Sequence, residues 1–241
     1  MQNSYIISFY PGTSGRFVRY VLYSLLTGSE IDLELTDVNS SHNFNEYTGV
    51  SISDPNIRNI YDVFTFDEWA PITTPKILAT HAYPEINVIN KRVPDSKIIL
   101  ITFDRSDLLE IFGNIVYKNL FNDPTGPINH TNLLRYWNLV NDKPMVPIQL
   151  LSDDELREGI KKIVYSLHCV MTRNSARFMD DVAINSRILA IPYKELFDIT
   201  TTIARLEKFT GTVANEALVK NYMKYIAGRK DFIKKYMPWL I

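Results

Sequence analysis

Residues 4–26 read as one β-turn-α unit, and no other stretch constrains the fold as strongly. Ser4-Tyr-Ile-Ile-Ser-Phe-Tyr10 is a short apolar run, Pro11-Gly-Thr-Ser-Gly15 is a run of small and turn-forming residues, and Arg16 to Leu26 has helical apolar spacing. A turn of glycines and hydroxyls at a helix start gathers several unpaired backbone N–H groups around one point, and the helix dipole adds partial positive charge there. Such a turn suits a phosphate. Arg16 and Arg19 add guanidinium groups, whose fork matches phosphate or sulfate oxygens. The alternative is a tight connection whose glycines serve only backbone freedom. The turn departs from the ordinary ATP or GTP loop, because G-x-x-x-x-G-K-[ST] needs four residues between its glycines and a lysine after the second. Gly12 and Gly15 have two between them, and Arg16 follows.

Three later runs resemble the first strand. Lys76-Ile-Leu-Ala-Thr80 ends in His81, Lys97 to Phe103 lies between Pro94-Asp95 and Asp104, and Arg187 to Ile191 comes last. Near-continuous apolar runs belong to strands covered on both faces, as in a parallel sheet. Ile31 to Leu35 alternates apolar and acidic residues and reads as a further short strand. Helices are expected from Arg16 to a C-cap at Gly28, from Asp104 to Tyr117 with Asp104 or Ser106 as cap, and from Asp198 to Phe209 with a stop at Gly211. Ser152-Asp-Asp-Glu155 is a capping box before Leu156, Ile160, Ile163, Val164, Leu167 and Met171. Cys169 reads as core packing on that helix. Asn215 to Ile226 forms a last helix, followed by a basic, aromatic tail from Gly228.

Strands alternating with helices predict an α/β fold of three layers, a central mainly parallel sheet flanked by helices. The 241 residues, 46 % hydrophobic, suffice for one core, so the reading is a single domain over 1–241 with a helical and loop insertion at about 120–180. Ligands of such sheets sit outside the carboxyl ends of the strands. Gly12 to Arg19, His81, and Arg105-Ser106 all fall at that edge, which predicts one shared crevice. The 26 basic and 27 acidic residues leave a formal charge of −1, so no global field gathers nucleic acid or an anionic membrane. The start lacks the pattern of a secretory signal and no long apolar span occurs, which reads as a soluble, cytoplasmic protein without a membrane span. A luminal domain freed of its anchor would read the same way. A single cysteine excludes an internal disulfide, and His42, His130 and His168 lack metal-ligand spacing, so no metal is expected.

In four places the chain resembles the sulfotransferases that use 3′-phosphoadenosine 5′-phosphosulfate (PAPS). Tyr10-Pro-Gly-Thr-Ser-Gly-Arg-Phe17 is similar to their P-loop-like 5′-phosphosulfate loop after the first strand. Pro75 to Pro84, with Thr80-His81, is similar to the segment that carries the catalytic base. Lys97 to Tyr117 resembles the strand, Arg-containing turn and helix that bind the 3′-phosphate. Ile191-Pro-Tyr-Lys-Glu-Leu to Phe209-Thr-Gly211 resembles a Tyr-Glu-Asp-Leu strand with its following helix. The resemblance implies sulfuryl transfer from PAPS to a hydroxyl or amine of a small-molecule, glycan or peptide acceptor. His81 and Arg16 would be catalytic; Gly12, Thr13, Ser14, Gly15, Arg16, Phe17, Arg105, Ser106, Tyr193 and Arg229 would bind the donor. Histidine's ordinary pKa of about 6.5 suits a base at neutral pH.

The family's loop lysine has no counterpart, and Arg16 is the residue that could take its charge-stabilising role. That loss keeps open a catalytically impaired PAPS- or nucleotide-binding module. A nucleotide-kinase-like phosphotransferase would share the fold outline. Tyr193 is either an adenine contact or core, and Arg229 either a phosphate contact or part of a solvated face. Trp69, Tyr83, Tyr136 and Trp137 form a candidate acceptor wall.

Overall fold

The computed structural model describes residues 5–10, 12–28, 77–80, 96–120, 129–140, 151–171 and 186–240. Four strands, β1 (Tyr5–Phe9), β2 (Ile77–Thr80), β3 (Lys97–Thr102) and β4 (Ile188–Pro192), pair in the order β2-β1-β3-β4, and every pairing is parallel. The near-continuous apolar runs pack as expected: Ile6 and Ile7 of β1 and Ile98 to Ile101 of β3 are buried on both faces. The expected strand over Ile31 to Leu35, and His81, lie outside the described residues.

The helices are α1 (Gly15–Thr27), α2 (Leu108–Leu120), α3 (His130–Val140), α4 (Asp153–Met171), α5 (Ile199–Thr210) and α6 (Glu216–Tyr236). From β1 the chain steps to β2 on one side, and from β3 it steps to β4 on the other. Right-handed crossovers then put α1 and α2 on opposite faces of the sheet. The contacts agree, since α1, α5 and α6 pack on one another while α2, α3 and α4 form a second group. The result is a three-layer α/β fold. Helices α3 and α4 fall in the stretch read as an insertion, with the ring of Trp137 pressed against Gly159.

Local signals account for the helix ends. Gly28 and Gly211 take left-handed conformations as C-caps, Ser152 and Glu155 exchange hydrogen bonds at the start of α4, and Asp198 and Asn215 cap α5 and α6. Three features differ from expectation. Helix α6 runs through Gly228 to Tyr236, because Ile226, Ile233 and Met237 continue its buried face and one exposed mid-helix glycine costs only about 1 kcal/mol. Cys169 is exposed, since the buried stripe of α4 follows Ile160, Ile163 and Val164. A single 3-10 turn, Arg105–Asp107, precedes α2 where the helix was expected to begin at Asp104.

The register aligns the carboxyl ends of all four strands. Thr80 lies beside Ser8, Ile101 beside Phe9, and Pro192 beside Thr102. Chain direction across the sheet reverses between β1 and β3, and that switch point is where parallel sheets open a crevice.

Candidate functional site

The β1–α1 turn stands at the switch point. Gly12 has φ +88° and Ser14 has φ +60°, the only non-glycine residue with positive φ among the described residues. For serine the left-handed conformation costs about 1 kcal/mol. A Cβ on Gly12 would stand 2.4 Å from the carbonyl oxygen of Ile111 on α2, and one on Gly15 would meet the ring of Phe9 at 1.9 Å. Glycine is therefore required at both positions by space, and at the first by conformation too.

Ser14 is the N-cap of α1 but makes no side-chain cap. Its carbonyl accepts from Val18 N–H at 3.2 Å, which is the first intrahelical bond. The N–H groups of Gly15, Arg16 and Phe17 thus precede the helical ladder, and the first turn holds no acidic residue. Amides and dipole together make a setting for an anion. The Ser14 hydroxyl accepts from Tyr225 Oη at 3.1 Å, which leaves its own hydrogen available to donate.

Two carbonyls of the turn accept bonds within the protein. Thr13 is buried, and both its N–H and its hydroxyl donate to the carbonyl of Tyr10, at 3.1 and 2.7 Å. The carbonyl of Gly12 accepts from Nδ2 of Asn114 on α2 at 3.1 Å. Asn114 also donates to the Tyr193 hydroxyl at 2.6 Å. That hydroxyl donates to Glu110 at 3.2 Å and accepts from Arg229 of α6 at 2.8 Å. Arg229 forms an ion pair with Glu110 and lies 3.7 Å over the ring of Phe197. Burial lowers the Arg229 pKa to about 10 and pushes the Tyr193 hydroxyl well up. Arg229 therefore stays charged at neutral pH, with Glu110 as its counterion.

Across the switch point, the turn after β3 is exposed at Asp104, Arg105 and Ser106. Buried Asp107 accepts from Asp104 N–H at 2.9 Å and pairs with Lys194 at 2.8 Å; Lys194 Nζ also lies 3.4 Å from the Ser106 hydroxyl. Two cations and a hydroxyl thus stand at the carboxyl edge of β3 and β4.

The structure brings Gly12 to Phe17 together with the β3 turn at one edge. Arg16 occupies the second helical position, and its side chain lies outside the described residues. Arg19, read as a charge beside the turn, is 3 % exposed, with its guanidinium 5.4 Å from the ring of Tyr20. Phe17 buries its ring against Tyr225, stacked at 3.7 Å, so only its backbone faces the turn's mouth. Tyr193 is wholly buried, as core, and Arg229 points inward onto Glu110. Of the acceptor wall, Tyr136 and Trp137 lie half-buried on α3, while Trp69 and Tyr83 lie outside the described residues. Sequence reasoning missed Glu110, Asn114 and Tyr225. The first two did carry a signal: they are polar residues one turn apart among Leu108, Ile111, Phe112, Ile115 and Val116.

Among the described residues no helix is long and apolar enough to cross a membrane, and no three His, Cys, Asp or Glu side chains cluster as metal ligands. No family model matches the chain, and no curated protein matches it.

Proposed function

We propose that this chain binds PAPS at the β1–α1 turn and transfers its sulfuryl group to a hydroxyl or amine. One observation carries the reading: the parallel order β2-β1-β3-β4, with its reversal between β1 and β3. That order supports a common crevice for the β1–α1 turn, the segment that His81 opens directly after Thr80, and the Arg105–Ser106 turn. The β1–α1 turn fits the anionic end of the donor. It has backbone amides ahead of the helical ladder and a serine hydroxyl, while the carbonyls of Tyr10 and Gly12 are bonded within the protein.

In this reading the acceptor oxygen or nitrogen attacks sulfur, and the bond between sulfur and the 5′-phosphate oxygen breaks. The acceptor proton passes to His81, and 3′-phosphoadenosine 5′-phosphate (PAP) leaves with the electron pair. Arg16 and the amides of Gly15 to Phe17 answer the charge that develops on the leaving oxygen. Arg105 and Ser106 hold the 3′-phosphate. Tyr193 and Arg229 serve by fixing the turn from behind.

Calorimetry with PAP, followed by transfer of labelled sulfate from PAPS to alcohols, phenols, sugars and peptides, tests the proposal. Binding with transfer, and loss of transfer in His81→Ala, is the expected result. Binding without transfer to any acceptor gives the non-catalytic module, the reading that the missing loop lysine favours. Binding of ATP with magnesium in preference to PAP gives the phosphotransferase.

A further inference from the structure

We infer that Asn114 is a positioning residue for the β1–α1 turn: it holds the Gly12 carbonyl away from an incoming anion, and the group of Glu110, Arg229 and Tyr193 keeps its amide aimed at Gly12. The inference deepens the donor-binding reading and rests on it for the identity of the anion.

An anion turn works only while N–H groups face its mouth. In a trans peptide the carbonyl and the next N–H point opposite ways, so a flip of one plane in the turn breaks the bonds on both its sides and frees a carbonyl beside the open amides of Gly15 to Phe17. The plane between Gly12 and Thr13 turns through ψ of Gly12 and φ of Thr13, and a glycine restrains its own ψ less than any other residue does. Here that plane is pinned on both sides. Thr13 N–H is held by Tyr10 and the Gly12 carbonyl by Asn114. Space adds a second constraint, since Ile111 and Ile115 on the same helix leave no room for a side chain at Gly12.

The direction of the Asn114 amide is in turn fixed by charge. Arginine can only donate, and an ionised carboxylate can only accept. The Tyr193 hydroxyl lies between the two, so its one hydrogen goes to Glu110 and a lone pair receives Arg229. The hydroxyl is left able only to accept from Asn114, and the Gly12 carbonyl likewise can only accept. Both neighbours therefore demand the nitrogen of Asn114. The ion pair of α2 with α6 reaches the mouth of the turn through four side chains, with no loop between them to absorb a change.

The test uses the full-length protein with Asn114→Ala, Asn114→Asp and Glu110→Gln. Amide hydrogen exchange is read without ligand, and PAP affinity by calorimetry. Asn114→Asp keeps the size but sets a carboxylate oxygen against the Gly12 carbonyl, so it should weaken PAP more than Asn114→Ala, which should weaken it at least tenfold. In both variants exchange of the bonded Thr13 amide, within residues 12–18, should rise at least tenfold while residues 97–102 keep their protection. Glu110→Gln, whose amide could donate to the tyrosine and reverse the chain, should move the same readouts in the same direction by less. Unchanged exchange over 12–18 in Asn114→Ala overturns the inference, as does uniform loss of protection across the sheet, which would make the residue merely structural. If the parent protein binds no PAP, the donor reading falls, and the exchange measurements still decide the positioning role.

Discussion

The two turns that flank the switch point each close a bond within themselves, Thr13 on Tyr10 and Asp104 on Asp107, and differ in what holds them from outside. The turn after β1 is fixed from far along the chain, by Asn114 on the Gly12 carbonyl, 102 positions away, and by Tyr225 on Ser14, 211 positions away. The turn after β3 has one residue on it from outside, Lys194 at Asp107 and Ser106, beside the bond of Asp104 N–H to the Asp107 carboxylate three positions away. A bond closed within a turn holds wherever its own segment is formed. A bond made from a distance forms only in the assembled protein, and changes elsewhere reach the turn through it.

Gly15→Ala should break that contrast most severely. The new methyl would press into the buried ring of Phe9, and a loss of about 3 kcal/mol is expected from urea denaturation. A loss below about 1 kcal/mol would mean that the first turn is not packed as tightly as its geometry states. Arg229→Met comes next. It leaves Glu110, 24 % exposed, without its counterion, and should cost about 2 kcal/mol, below the range for fully buried pairs because some solvent reaches the carboxylate. Its effect on PAP affinity should exceed that of any change in the β3 turn's own cap. Asp107→Asn should cost about 1 kcal/mol by weakening the Lys194 pair and the bond to Asp104 N–H. Amide exchange over residues 12–18 should not respond to it; a response would join two turns that the contacts keep apart.

The smallest effect tests a bond closed within its own segment. Ser152's N–H and hydroxyl hold the Glu155 carboxyl below its ordinary value of 4.5. Its contribution to the start of α4 is complete above that value and is lost as pH falls through the lower folded value. Protection of the first-turn amides of α4, taken relative to their intrinsic exchange rates, should therefore fall between pH 5 and pH 3, and Ser152→Ala should reduce that pH dependence. The sheet should show no matching change.

The same contrast explains how much was legible in the sequence. Elements that close locally were readable: the C-caps at Gly28 and Gly211, the Ser152–Glu155 box, and the apolar strand runs at Tyr5 to Phe9 and Lys97 to Thr102. The parallel sheet followed from those runs, because strands this uniformly apolar need cover on both faces. What was not readable depends on which side chains meet. Tyr193 and Arg229 have residue types that suit a donor, yet the pairing of α2 with α6 buries them against Glu110. Arg19 has a charge that spacing alone would place beside the turn, and the packing of α1 buries it. Gly228 looked like a stop because local propensity disfavours glycine in a helix, while the buried face at Ile226 and Ile233 carried the helix past it.

The hydroxyl contact from Tyr225 to Ser14 joins the turn after the first strand described with an α-helix synthesised some two hundred residues later. β1 and the start of α1 therefore emerge long before the partner that completes them exists. A nascent chain halted before α6 could already pair β1 with β3, but its amino-terminal bend would lack this clasp, so binding of a nucleotide anion there should begin only after synthesis has passed residue 225.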